Sequence, residues 1–256
     1  MAGLTAETAT LPRLSVIIPC LNEAHRLPLL LADLKRWPGA LETVVVDGGS
    51  TDQSAIVSQL AGARCVQALQ RGRGHQLSTG AHHAQGDWLL FLHADSRLGS
   101  TWTTAVHAVL GHPGAERSAW YFDLRLEPKR PSLTLLETCV ALRSRWLQRP
   151  YGDQGLLLQR QLYQRCGGYA PIPLMEDLDL VLRLAPLAPL RPLGESLVSD
   201  GRRWSDTGVL ERSWRNAQLR HRWRRGESPE QLATAYYGSQ SREGAQEAYQ
   251  KPQRWP

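Results

Sequence analysis

Short apolar runs alternate with amphipathic or small-residue stretches through the first hundred residues. Leu14–Pro19 (LSVIIP), Glu42–Asp47 (ETVVVD), Ala63–Gln67 and Trp88–Leu92 (WLLFL) are too short for buried helices and rich in β-branched or bulky apolar side chains, so each predicts a buried strand. Between them, Asn22–Glu23 open a helix that runs to about Trp37 and is broken by Pro38–Gly39. A second helix runs to about Leu60 after the Gly48–Gly49–Ser50–Thr51–Asp52 turn, and a third, made of small residues, spans His75–Gln85. The order is βαβαβαβ, which predicts an α/β fold with a mostly parallel central sheet flanked by helices. In such sheets ligands bind outside the carboxyl ends of the strands. Those ends carry Pro19–Glu23, Asp47–Asp52 and His93–Asp95.

Beyond Arg97 the pattern is more mixed. A helix is predicted over Thr101–Leu110 and a strand over Ser118–Leu126. An amphipathic helix over Ser132–Leu147 places Leu133, Leu136, Val140 and Trp146 on its apolar side. A polar turn, Tyr151–Gln154, leads into a strand from Gly155 to Leu158 and a short helix, Arg160–Cys166. A helix opens at Glu176–Asp177 and ends near Ala185; a last strand covers Leu193–Ser199. Arg212–Arg225 reads as a basic amphipathic helix with Trp214, Leu219 and Trp223 on one side. The organisation expected is a flexible N-terminus over 1–13 and one domain over 14–204, in two halves (14–98 and 99–204). A basic helical segment (205–237) and a disordered tail (238–256) follow.

Composition adds little except through charge. Of 256 residues, 42% are hydrophobic and 21% charged, an ordinary globular profile. The four cysteines form no C-x-x-C pair, which argues against a zinc site or disulfide framework and suits a reducing cytosol. No signal-peptide pattern and no apolar run long enough to span a membrane are seen, so a cytoplasmic protein is expected. The net charge of +6 matches the excess of eight Arg over Asp206 and Glu211 between Gly201 and Arg225. Such a segment suits phosphate-rich ligands or peripheral contact with an anionic membrane surface on its inner face. Nucleic acid is not expected as a partner, because no basic–aromatic platform recurs elsewhere.

Three acidic clusters on one rim would repel unless a cation or hydrogen-bonding ligand held them together. Glu176–Asp177 begins a helix after the stiff Pro171–Pro173 loop, with no basic residue beside the pair in sequence. Carboxylates there suit the helix dipole, but also acid–base chemistry. The Gln70–Gly74 loop (QRGRG) interleaves Arg71 and Arg73 with glycines, a composition suited to folding over phosphates.

Four stretches in order, Ile18–Pro–Cys–Leu–Asn–Glu23, Val46–Asp–Gly–Gly–Ser–Thr–Asp52, Leu92–His–Ala–Asp95 and Met175–Glu–Asp177, resemble the family-2-type inverting glycosyltransferases of the GT-A (nucleotide-diphospho-sugar transferase, Rossmann-like) fold. The resemblance covers about Leu14–Trp204; Arg71–Ala81 and the His–Ala–Asp form are similar to a bacterial radical-SAM-associated "transferase 2" subgroup. It implies a UDP- or GDP-sugar donor, a small-molecule or lipid acceptor, and Mg2+ or Mn2+ as cofactor. By this resemblance Pro19 and Glu23 line the nucleoside pocket, Asp47 meets the base, and Asp52 supports the pocket or ribose. Ala94, with Arg71 and Arg73, belongs to the donor side, and Asp95 matches the metal ligand. His93 stands where the family's first metal-binding carboxylate falls, which leaves its part in metal binding open. Asp177 matches the catalytic base, while Asp153, Gln154, Glu176, Arg203 and Trp204 fall on the acceptor side. Asp200 stands where processive relatives carry Gln, so single transfer is expected.

Two readings compete. A sugar-phosphate nucleotidyltransferase shares the sheet topology, but wants a Gly-rich basic loop directly after the first strand, where Cys20–Glu23 stand. A non-catalytic nucleotide-sugar binder or membrane-surface adaptor would have no use for Asp95 and Asp177.

Overall fold

The computed structural model describes residues 12–70, 72–201 and 208–237. Arg71, Arg203, Trp204 and the tail from residue 238 lie outside the described residues. The chain order is β1 (Leu14–Cys20), α1 (Leu27–Leu34), β2 (Leu41–Asp47), α2 (Ser54–Leu60), β3 (Arg64–Gln67), α3 (Arg73–His83) and β4 (Trp88–Phe91). Then follow β5 (Arg97–Leu98), α4 (Trp102–Leu110), β6 (Ala119–Glu127), α5 (Pro131–Leu147), β7 (Leu156–Gln159), α6 (Arg160–Arg165), α7 (Glu176–Leu184), β8 (Leu190–Asp200) and α8 (Val209–Arg224). Residues 229–237 form a further helical stretch.

Eight strands join in one sheet of order β3-β2-β1-β4-β7-β6-β8-β5. The pairs among β3, β2, β1 and β4 are all parallel, as the alternation of runs and helices predicts. The second half is mixed: β7 runs antiparallel to β4 and β6, and β5 antiparallel to β8, while β6 and β8 are parallel. This departure positions the site. Because β7 is antiparallel to β4, its first residue, Leu156, pairs with the last residue of β4, Phe91. The turn that precedes β7, a 3-10 helix over Gly152–Gln154, therefore sits at the same rim as His93.

Both faces of the parallel half are covered, which is why its strands read as unbroken apolar runs rather than alternating ones. Val16, Ile18 and Leu90 join Leu30 of α1 and Trp102 of α4 on one face. Ile17, Leu89 and Phe91 join Leu77 of α3, Leu162 of α6 and Leu180 of α7 on the other. The third helix lies unusually close: a Cβ on Gly80 would stand 2.4 Å from Ile17 Cγ2 and 2.9 Å from Val46 Cγ2. Gly80→Ala is thus expected to destabilise the fold by about 1–3 kcal/mol, the usual cost of overpacking a filled core. Urea denaturation checks this; an unchanged midpoint would show that α3 can shift without cost.

Two elements differ from expectation. The first helix begins at Leu27, not Asn22, because Asn22 takes a left-handed φ of 56° and residues 23–26 turn, with Arg26 N donating to Glu23 O at 3.0 Å. Pro28, which lacks an N–H, then falls in the first helical turn, where none is needed. On α5, Leu133 and Val140 are buried, but Trp146 is 76% exposed. It belongs to a second, outward stripe with Leu135, Cys139 and Leu142.

Candidate active site

The first rim is a hydrogen-bonded cross-link between the loops after β1 and β2. Asn22 Oδ1 accepts from Thr51 N (2.8 Å), Ser50 Oγ from Asn22 N (2.9 Å), and Ser54 Oγ from Glu23 N (2.8 Å). Asp52 Oδ2 accepts from Ala24 N and Oδ1 from Ser54 N. The Ser54 hydroxyl contributes most to holding the Asp52 carboxyl below its ordinary range. Asp47 is 3% exposed, and its carboxylate accepts from Ser50 N and from Gln67 Nε2. Behind them Gln76 Nε2 donates to both Cys20 O and Val46 O at 2.8 Å, tying α3 to the ends of β1 and β2. Pro19 and Ala94 are buried under this rim. A link runs onward through Arg26, which pairs with Glu23 (3.2 Å) and with Asp200 (3.0 Å) at the end of β8.

Asp200 is one wall of a cavity of about 250 Å3 beside this rim. His93, Asp95, Asp153 and Asp177 line it, brought from β4, the turn before β7, and α7. Met175 caps α7 with a left-handed φ of 68°, uncommon for a residue with a side chain, and this turn directs Glu176 and Asp177 to the rim. Behind Asp177 there is no room: a Cβ on Gly152 would lie 2.4 Å from Asp177 Oδ2.

The expectation that no basic residue neutralises Glu176–Asp177 is overturned. Arg73, the first residue of α3, donates through Nη2 to Asp177 Oδ2 at 2.7 Å and through Nε to Glu176 Oε1 in a closer contact. Sequence distance concealed this pair, because the partners stand 104 and 103 residues away. Arg73 thus braces the acidic pair here, with its side chain 40% exposed. Glu176 is 1% exposed; burial pushes its carboxyl above the ordinary range, and Arg73 pulls it back. Arg73 Nη1 also lies 3.4 Å from His93 Nε2. Burial, then Arg73, holds the His93 imidazole below its usual range against the pull of Asp177, Asp95 and Asp153, so a neutral ring accepts from the guanidinium at neutral pH.

At this site three buried carboxylate oxygens, Asp177 Oδ1, Glu176 Oε2 and Asp153 Oδ1, have no hydrogen-bond partner among the described residues. Asp177 therefore has one oxygen held by Arg73 and one that no described protein group satisfies. Gln154 is placed differently from expectation. It is fully buried, donates to Phe122 O, and accepts from Ser144 Oγ (2.7 Å) and Arg143 (3.2 Å). Both ends of its amide are used within the protein, so it holds the turn that presents Asp153. Among the described residues no three His, Cys, Asp or Glu side chains group closely enough to hold an ion unaided. The donor set is nevertheless of hard-cation type, since Mg2+ and Mn2+ favour one or two carboxylates completed by substrate phosphates.

The far wall comes from α8. Arg212, Asn216, Leu219 and Arg220 face the cavity, and Tyr236 of the stretch 229–237 closes it. The expected apolar side of this helix loses only Trp214, which points outward at 64%, while Leu219 is 5% exposed and Trp223 is half-buried. The spacing 212, 216, 220 is a helical stripe legible in the sequence, although its basic character reads equally well as a solvated face.

Residues 15–115 match the model of the family "Glycosyl transferase family 2". Over 94 residues the chain is 37% identical to a "PGL/p-HBAD biosynthesis glycosyltransferase" of Mycobacterium bovis, covering 34% of this chain and 37% of that protein. Over 99 residues it is 32% identical to a "4,4'-diaponeurosporenoate glycosyltransferase" of Staphylococcus haemolyticus, covering 36% and 26%. The chain thus spans about a third of the length of these curated relatives. Among solved structures it is similar to S. aureus TarS 1-349 (TM-score 0.59, 18% identity, 74% of this chain and 60% of that one). It is also similar to the mannosyltransferase PcManGT from Pyrobaculum calidifontis, in complex with GDP-Man and Mn2+ (TM-score 0.58, 22% identity, 75% and 57%). At these identities the structural likeness establishes the fold alone, and Asp153, Asp177 and α8 lie beyond the matched segment. Over residues 15–115 this chain is similar to glycosyl transferase family 2, and it adopts an α/β fold of the GT-A type.

Proposed function

We propose that this protein is an inverting glycosyltransferase that moves a sugar from a UDP- or GDP-sugar to an acceptor hydroxyl. The observation that carries this reading is Asp177: Arg73 holds one carboxylate oxygen, the other is buried with no partner among the described residues, and the residue lines a cavity shared with Asp95. The acceptor oxygen attacks the anomeric carbon, its proton passes to Asp177, and the bond from that carbon to the diphosphate oxygen breaks, inverting the centre in one displacement. Pro19, Glu23, Asp47, Asp52 and Ala94 form the nucleoside side, with Asp52 and Asp47 holding its loops. Arg71 is assigned to the donor phosphates, and Arg203 and Trp204 to the acceptor end. Asp95, with His93 beside it, would hold a Mg2+ or Mn2+ ion, which when bound offsets the charge growing on the leaving diphosphate. The first test is thermal unfolding against nucleotide sugars with and without Mn2+. A ligand at a hundred times its dissociation constant stabilises by about 2.7 kcal/mol. UDP- or GDP-sugars are expected to raise the transition, more so with Mn2+, and Asp95→Ala to remove the metal-dependent part. If no nucleotide sugar shifts it, the reading fails.

We also propose that the protein rests on an anionic membrane surface, where a lipid acceptor would be met. No described helix is long and apolar enough to cross a membrane. The outward stripe of α5 is instead suited to lie on one: Leu135 (63% exposed), Leu142 (41%) and Trp146 repeat at helical spacing, with Lys129 and Arg130 exposed at its start. Co-sedimentation with phosphatidylglycerol-containing vesicles, but not with pure phosphatidylcholine, is expected, and Trp146→Ser should reduce it. Equal behaviour with both lipids, or self-association through the stripe, would overturn the placement.

A further inference from the structure

The cavity is not lined by carboxylates alone. Asp95, Asp153, Asp177 and Asp200 share its lining with two guanidiniums and a carboxamide from α8. The acidic residues on that helix and just after it serve other arginines: Glu211 pairs with Arg215, and Glu227 with Arg222. Arg220 has no carboxylate partner among the described residues. Its guanidinium carbon instead lies 5.7 Å from the centroid of Tyr151, whose ring also carries Arg143 at 3.9 Å. The donors of Arg143 go to Arg149 O and Gln154 Oε1, both uncharged. Two cations therefore share one aromatic ring with no anion bonded to either. Such an arrangement repels itself: burial and the nearby Arg220 lower the Arg143 guanidinium from its ordinary range, while Asp153 and Tyr151 oppose the shift. A ligand anion would relieve it, and arginine forks match phosphate and carboxylate geometry.

We propose that Arg220, Asn216 and Tyr151 form a subsite for an anionic group on the acceptor, a phosphate monoester or carboxylate borne by the molecule whose hydroxyl reaches Asp177. This rests on the glycosyltransferase reading and specifies its second substrate. The tyrosine ring fixes the Arg220 guanidinium, Asn216 one turn earlier adds an uncharged donor, and Leu124, Leu126 and Leu219 give the body of the acceptor an apolar wall. The anion can belong to a free metabolite or to a lipid headgroup; the chemistry recognised is the same.

The test is calorimetric titration of the full-length protein, first with UDP and GDP, then with inorganic phosphate and glycerol 3-phosphate in the presence of saturating nucleotide. Saturating nucleotide occupies the donor phosphate positions, so added anion reports the second site. Expected are phosphate and glycerol 3-phosphate binding that Arg220→Met weakens at least tenfold, with nucleotide affinity unchanged. Arg224→Met, which removes an exposed charge from the same helix, controls for net charge and leaves both affinities as they were. Phosphatidylcholine vesicles with and without phosphatidic acid form the second arm. Arg220-dependent binding confined to vesicles assigns the anion to a lipid, and binding confined to the free compounds assigns it to a soluble acceptor. If nucleotide binds but neither free anion nor phosphatidic acid does, or if Arg220→Met and Arg224→Met weaken binding equally, the subsite is overturned and the transferase reading stands. If neither nucleotide binds, the transferase reading falls, and Arg220-dependent anion binding then measures the subsite by itself.

Discussion

Asp177→Asn is expected to lower transfer by about 10^2–10^4-fold, the usual contribution of a positioned general base, while leaving nucleotide binding as it was. The substitution is nearly isosteric, so the narrow space against Gly152 is respected. Arg73 keeps Glu176 as a partner and can still donate to the amide oxygen, so the wall of the site keeps its shape. What is lost is the ability of the unpartnered oxygen to take a proton from the acceptor. The measurement is transfer alongside nucleotide titration of the same preparation. Transfer within a few fold of wild type would remove Asp177 from the role of base and direct attention to Asp153, whose Oδ1 is also buried and unpartnered.

Arg73→Met is expected to cost about 3 kcal/mol of folding stability, the low end for breaking a buried ion pair, because the Arg73 side chain is 40% exposed. Its loss leaves Glu176 and Asp177 side by side with no cation. The effect carries a pH signature. The Glu176 carboxyl is already raised by burial, so the folded state holds its proton to higher pH than the unfolded chain does. That contribution falls as pH rises from the ordinary glutamate range through the raised value. Removing Arg73, the group that opposes the shift, raises it further. The variant is therefore nearest to wild type in mild acid, and its deficit widens towards neutral and alkaline pH. Urea denaturation between pH 5 and pH 8 measures this. A deficit of one size across that range would mean that Arg73 acts only by filling space. Arg73→Lys should recover part of the stability, since it keeps the charge but not the fork that reaches two carboxylates and His93.

How much of this was legible in the sequence depends on the range of the interactions concerned. The strands β1, β2 and β4 announce themselves because both faces are buried, which makes every position apolar. The loops after them are legible because Asp47, Ser50, Asp52 and Ser54 bond within their own turn or to the neighbouring one. The start of α1 lies four or five residues beyond the one Asn22–Glu23 predict, since nothing local marks the left-handed turn at Asn22. Trp146 and Trp214 point outward although spacing places them on apolar faces, because helical spacing tells which residues share a side, not whether that side meets protein. Gln154 looked like a turn residue open to ligand; its burial comes from Ser144, Arg143 and Phe122, which only the packing of α5 on β6 brings to it.

By itself the sequence determined the βα order, the parallel half of the sheet, and the acidic residues at its carboxyl ends, all through local periodicity and turn chemistry. The tertiary structure alone decided the antiparallel entry of β7, which carries Asp153 to the rim beside His93. It also decided the bracing of Glu176 and Asp177 by Arg73 and the turning of the arginine stripe of α8 inward. Each joins residues whose partners are set by how the chain folds back on itself. A charge has no periodicity that reveals which distant charge it will meet.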